Sequence, residues 1–144
     1  MMRPVYILLS LLLLTNLFLA PPSEAKSSEL CPTLTSPVDE SGLEQWQSLV
    51  NEGQEICLTA ERLLRAEHYP RINDYLYSAQ LARESGYKYI EASVFLKNFK
   101  TTNPATEAWI AEEIPLLDRM YKELYFKASQ RVAVANYRFR RGLR

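Results

Sequence analysis

In 144 residues the chain holds one histidine, two cysteines and four glycines, and each scarcity removes a class of chemistry. His68 has no second imidazole with which to build a metal set, and no Ser or Cys stands in a nucleophile motif that it could serve as general base. Cys31 and Cys57 form neither a Cys-x-x-Cys redox pair nor a haem-attachment motif. The glycines make no phosphate-cradling loop, and no carboxylate ladder of the calcium-loop type is present. Glu112, Glu113 and Asp118 are near one another in sequence, but adjacent glutamates point about 100° apart on a helix and are expected on a solvated face. The reading is a protein that is not an enzyme, with no catalytic residue, no cofactor and no metal.

Strict alternation of apolar and polar residues is also missing, so half-buried strands are not expected. A long apolar run occurs once. It extends from Val5 to Ala20, follows Arg3, and is broken only by Ser10, Thr15 and Asn16. Sixteen residues is short of the roughly 20 that a spanning helix needs. Pro21 and Pro22 end it, and Ser23 and Ala25 put small residues at −3 and −1 of a cut before Lys26. Residues 1–25 are therefore expected to be a cleaved signal peptide, retention as an anchor being the alternative. The protein is expected to be exported, periplasmic or secreted, with no transmembrane helix in the mature chain.

What the remaining 119 residues do contain is helical periodicity. Leu43, Trp46, Val50, Gly53, Cys57, Ala60 and Leu64 recur in steps of three and four, which predicts one apolar helix face over 42–67. Ser41 and Glu44 have the spacing of a capping box at its start. His68-Tyr69-Pro70 marks a boundary, after which Ile72, Tyr75, Leu76, Ala79 and Ala82 predict a second helix stopped at Ser85-Gly86. Tyr87 to Phe99 predicts a third, with Ile90, Val94, Leu96 and Phe99 inward. Asn103-Pro104 caps the next, and Pro115 is expected to kink or divide it. From Leu117 through Tyr121, Leu124, Ala128, Val132 and Ala135 to Phe139 runs a long amphipathic stripe. The fold class expected is all-α: a single bundle of four to five helices spanning 41–144, preceded by an extended arm at 26–40. A repeat of about 34 residues is excluded, because aligning Tyr75–Ala82 with the tetratricopeptide pattern leaves its later positions unmatched.

Two cysteines in an exported chain permit one intramolecular bridge. From Ser41 back to Cys31 the chain stretches roughly 30 Å, and Cys57 lies about 24 Å along the helix from its cap. An arm running antiparallel to the first helix therefore brings Cys31 to Cys57, and a disulfide between them is expected.

Charge is balanced overall but divided along the chain. From Lys26 to Asp118 there are 8 Lys and Arg against 15 Asp and Glu; from Arg119 to Arg144 there are 8 against 1. Arg138, Arg140, Arg141 and Arg144 interleave with Tyr137 and Phe139, an arrangement suited to an acidic protein or an anionic envelope component. Internal neutralisation of the acidic remainder is the competing role, and export argues against nucleic acid. Tyr75, Tyr77, Tyr87 and Tyr89 crowd the middle of the chain and are expected to line a partner-binding groove. The function expected is an exported, non-enzymatic helical binding or accessory module: an adapter, a chaperone-like protein or an inhibitor. The alternatives are a small-ligand carrier or enzyme whose site is not visible in sequence, and a membrane-surface-associated envelope protein. Intact mass of the exported protein tests the first step. A chain beginning at Lys26 is expected, and a species keeping Met1 through Ala25 refutes the cleavage.

Overall fold

The computed structural model describes residues 31–65 and 69–143. The expected signal peptide, residues 26–30 of the arm, His68 and Arg144 lie outside the described residues. Three helices are described, rather than four to five: α1 (Glu44–Arg62), α2 (Ile72–Asn98) and α3 (Pro104–Arg140). The described residues contain no strand. The all-α class and the disulfide stand; the helix number is corrected for two physical reasons.

The first reason is Gly86, which does not stop a helix. It lies inside α2, and a Cβ there would meet Tyr121 Cδ2 at 3.2 Å and Leu124 Cβ at 3.7 Å. Its missing side chain serves the approach of α3, not a left-handed turn. The second reason is Pro115, which does not divide α3. Proline withdraws the bond to the carbonyl of Ala111, but both residues face outward, so water can satisfy that oxygen. Glu113, Leu117 and Met120 pack inward on either side and hold the helix through the defect.

The helix starts also separate what was expected from what forms. Asn103 accepts from Ala105 N at 3.0 Å with Pro104 in the first turn, as expected. Ser41 does not cap α1. Gly42 turns the chain at φ +98°, Leu43 takes the N-cap position, and Glu44 accepts from Gly42 N at 2.9 Å. The regular part of α1 ends at Arg62, short of the expected boundary, and a turn carries the chain to Arg65.

α2 is the middle helix and packs against both neighbours. Its buried arc is made of small residues, among them Ser78, Ala79, Ala82, Ser85, Gly86, Ala92 and Ser93. Two hydroxyls satisfy themselves on the backbone of α1, Ser78 Oγ donating to Ala60 O and Ser85 Oγ to Gly53 O, each at 2.6 Å. α1 and α3 meet through long side chains: Trp46 and Trp109 pack edge to face at 5.0 Å, and Arg131 pairs with Glu61.

The arm lies along α1 in the antiparallel sense. Cys31 is bonded to Cys57, Gln54 Nε2 donates to Thr33 Oγ1 at 2.6 Å, and Gln47 Nε2 donates to Leu34 O at 2.9 Å. Its other side reaches α3, where Pro32 and Leu34 share a small cleft with Leu116 and Met120, and Thr106 hydrogen-bonds Glu40. Closing a loop over a separation of 26 residues stabilises by about 3.5 kcal/mol on the chain-entropy estimate. Replacing Cys31 with serine is therefore expected to lower the unfolding free energy by about 3 kcal/mol and to open 31–40 to protease. Equal denaturation midpoints for the variant and the oxidised parent would show that the arm does not stabilise the bundle.

Candidate functional site

Exposed tyrosines gather where α2 meets α3. Because the helices run antiparallel, Arg83 and Tyr87 on α2 face Tyr125 and Tyr121 on α3, each pair one helical turn apart. Ring centroids lie 6.3 Å apart for Tyr87–Tyr121 and 6.2 Å for Tyr121–Tyr125, and the Arg83 guanidinium sits 5.9 Å from the Tyr125 centroid. Gly86 helps make this possible, because its missing side chain lets the edge of the Tyr121 ring approach α2 closely. Tyr87 and Tyr125 keep about half of their surface in solvent, at 53% and 49%. The result is a row of broad aromatic faces held on two packed helices.

This row differs from the expected groove. Of Tyr75, Tyr77, Tyr87 and Tyr89, Tyr87 belongs to the row. Tyr89 is a core residue, fully buried against Gly53, and burial pushes its phenol up to about 12. It is corrected out of the partner-binding set, because its position on the helix points between α1 and α2. Tyr77 is exposed, and Tyr75 is half-buried beneath Arg138. Sequence reasoning placed Tyr121 inward and passed over Tyr125 and Arg83. The signal was present as two four-residue spacings, Arg83–Tyr87 and Tyr121–Tyr125.

The C-terminal arginines divide by role. Arg131 is buried, paired with Glu61, and donates from Nη1 to Ser78 O at 3.2 Å. Arg138 donates to Pro70 O at 2.6 Å and stacks 5.0 Å from the Tyr75 centroid, clamping the start of α2 to the end of α3. Arg140 and Arg141 face solvent, with Arg141 5.4 Å from the Tyr137 centroid. Phe139, expected on the inward stripe, is instead exposed.

An open apolar cleft of about 800 Å³ lies between the start of α1 and the end of α2, lined by Leu49, Ile90, Val94, Phe95 and Phe99. Glu91 is the one carboxylate on its lining. Among the described residues, no group of three or more His, Cys, Asp or Glu is placed to hold a metal ion.

Comparison with protein-family models, characterised proteins and solved structures finds no match to this chain.

The carboxylates of α3 do not converge. Glu112 is exposed, and Asp118 accepts from Ser93 Oγ at 2.7 Å and from Lys97 at 3.3 Å. These bonds, the serine first, hold Asp118 below the usual carboxylate range. Glu113 turns inward, against the expectation of a solvated face, and its Oε1 has no hydrogen-bond partner. Desolvation raises its pKa, so folding favours the protonated acid. Its contribution is full below the unfolded carboxylate range and is lost as pH rises through the raised value. Glu113→Gln is expected to raise the melting temperature at pH 7, with the gain vanishing in acid. A gain that is equal at both pH values would show that charge burial is not its source.

Proposed function

We propose that this chain is an exported, non-enzymatic binding or accessory module that holds a protein partner on the tyrosine row of α2 and α3, the basic C-terminal helix being a separate contact surface. The observation that carries this reading is the Tyr87–Tyr121–Tyr125 row with Arg83 at its end. Tyrosine and arginine are among the residue types that dominate binding energy at protein interfaces, tyrosine because it offers large contact area with few rotamers to freeze and a polar tip, arginine because its planar guanidinium presents a rigid fork of donors. A row anchored on packed helices loses little further entropy when covered. Export is supported by the layout of residues 1–25 and by the Cys31–Cys57 bridge, a bond that persists in oxidising compartments. Among the described residues, no helix is long and apolar enough to cross a membrane.

A small-ligand carrier is the second reading, favoured by the apolar cleft beside Phe99. That cleft is open along one side, whereas carriers of small apolar ligands enclose most of the ligand surface. The protein-binding reading is therefore preferred.

A photo-crosslinking residue at position 87 of the oxidised chain, in its native envelope fraction, is expected to trap one saturable partner. With that partner isolated, Tyr87→Ala with Tyr125→Ala is expected to weaken binding by roughly 10- to 100-fold with an unchanged melting temperature. Equal affinity for the double variant would sink the tyrosine row as the contact surface.

A further inference from the structure

The fold gathers arginines that are far apart in sequence at one end of the bundle. α1 ends at Arg62 and turns to Arg65, α2 starts after Arg71, and α3 finishes at Arg140 and Arg141. Two contacts bring these termini together: Arg131 to Glu61 on the last turn of α1, and Arg138 to Pro70 O just before α2. Arg62, Arg65 and Arg71 come from the part of the chain that is acidic by count, yet all three are exposed here beside the basic terminus. Among the described residues the acids on the adjoining turns are Glu61 and Asp74, and Asp74 shares a small cleft with Arg62. Glu61 pairs with Arg131, and Asp74 accepts from Arg71 N at 2.6 Å as the cap of α2.

The same end exposes apolar side chains. Tyr69 is 87% exposed, Phe139 74% and Leu143 52%. Phe139 and Leu143 stand on hydrogen-bonded backbone: Leu143 N donates to Arg138 O at 3.0 Å and Gly142 N to Phe139 O at 3.1 Å, with Gly142 at φ +66°. That is a Schellman stop, which fixes Phe139 and Leu143 on a finished helix end.

We propose that this end of the bundle docks on an anionic phospholipid surface, the arginines contacting headgroup phosphates while Tyr69, Phe139 and Leu143 enter the interface. Charge complementarity selects an anionic partner. Arginine suits phosphate because its planar guanidinium donates in two directions and is weakly hydrated. The shape selects lipid among anionic partners. Apolar side chains on a projecting end need a medium that closes around them, and the headgroup boundary does so. A soluble polyanion would use the charge and leave the rings in water. The inference rests on the reading of the chain as a binding module only in giving the basic end a partner, and it fails separately from the tyrosine row.

The test uses the oxidised chain purified from its producing cells, its N-terminus read by mass, with binding to neutral phosphatidylcholine vesicles subtracted. Partition onto vesicles of phosphatidylcholine with phosphatidylglycerol is expected, falling as salt rises. Arg140→Gln with Arg141→Gln is expected to lower it about 30-fold, at about 1 kcal/mol for each charge near the surface. Phe139→Ser with Leu143→Ser is expected to lower it about tenfold with every arginine kept. Trp46 and Trp109 are buried, so Phe139→Trp supplies a direct reporter at the end. Its emission should shift to the blue on anionic vesicles and stay unchanged with soluble polyglutamate. Partition indifferent to the Phe139 and Leu143 changes, or an affinity for polyglutamate equal to that for vesicles, would overturn lipid docking in favour of an acidic polymer or protein. Absence of partition at low salt would overturn it outright. Retained vesicle binding by Tyr87→Ala with Tyr125→Ala would separate this surface from the tyrosine row.

Discussion

The close approach of α2 to both of its neighbours is the constraint from which the rest of the architecture follows. A helix packed on two sides must present small residues over a wide arc, or the neighbouring backbones are held too far apart for hydroxyl groups to reach them. Ser78 and Ser85 reach carbonyls of α1 only because the backbones are close, and Ser93 reaches Asp118 on α3 from the same helix. Gly53 and Gly86 carry the two tightest places, receiving the rings of Tyr89 and Tyr121. Small residues bury little apolar area each, roughly 0.8 kcal/mol for every methylene they lack. Large side chains must supply that burial, Tyr89 and Leu96 on α2 itself and Trp46, Leu117 and Leu124 on its neighbours, all fully buried.

The arm completes what the helices leave open. α1 and α3 flank α2 and meet through Trp46–Trp109 and Arg131–Glu61, which leaves a channel between them for the arm. Leu34 and Val38 pack against the core there, and Cys31 itself is buried. Extended chain without neighbouring strands has few backbone partners, so holding it in place costs conformational entropy with little return. The disulfide restricts the unfolded chain instead, Gln47 supplies a hydrogen bond to the backbone of the arm at Leu34 O, and Gln54 adds one to the Thr33 hydroxyl.

How much of this was legible depends on whether a residue's role is local. The α1 stripe was readable in full from Leu43 to Ala60, because one helix face meeting one core is a periodic signal. The arm and its bridge followed from reach and parity. Gly86 and Pro115 misled for the same reason: both are breakers in isolation, and here tertiary packing decides their meaning. One opens a helix contact, and the other sits on an outward face where solvent can reach the carbonyl it leaves unbonded. Arg131 was invisible as a core residue because nothing in its neighbourhood announces Glu61, which lies 70 residues away in sequence. The tyrosine row was half legible. Crowding of Tyr75 to Tyr89 on α2 pointed to a surface, but the partners of Tyr87 come from α3, and that pairing depends on the antiparallel register set by Gly86.

Charge shows most directly how the fold changes a sequence property. Counted along the chain, the basic block is the last 26 residues; in space it loses Arg131 to an ion pair and Arg138 to a carbonyl, and it gains Arg62, Arg65 and Arg71. The separation of charge therefore survives folding at one end of the bundle, not along one helix. A pole of this kind orients the molecule, since only end-on contact lets the termini of all three helices meet an anionic surface together. Tyr125 stands about 20 Å up α3 from Phe139, beyond the Debye length of roughly 8 Å at physiological salt. The tyrosine row then lies clear of that surface and faces sideways along the helices. A protein partner on the row and a lipid surface at the pole occupy different sides of the bundle, and neither excludes the other.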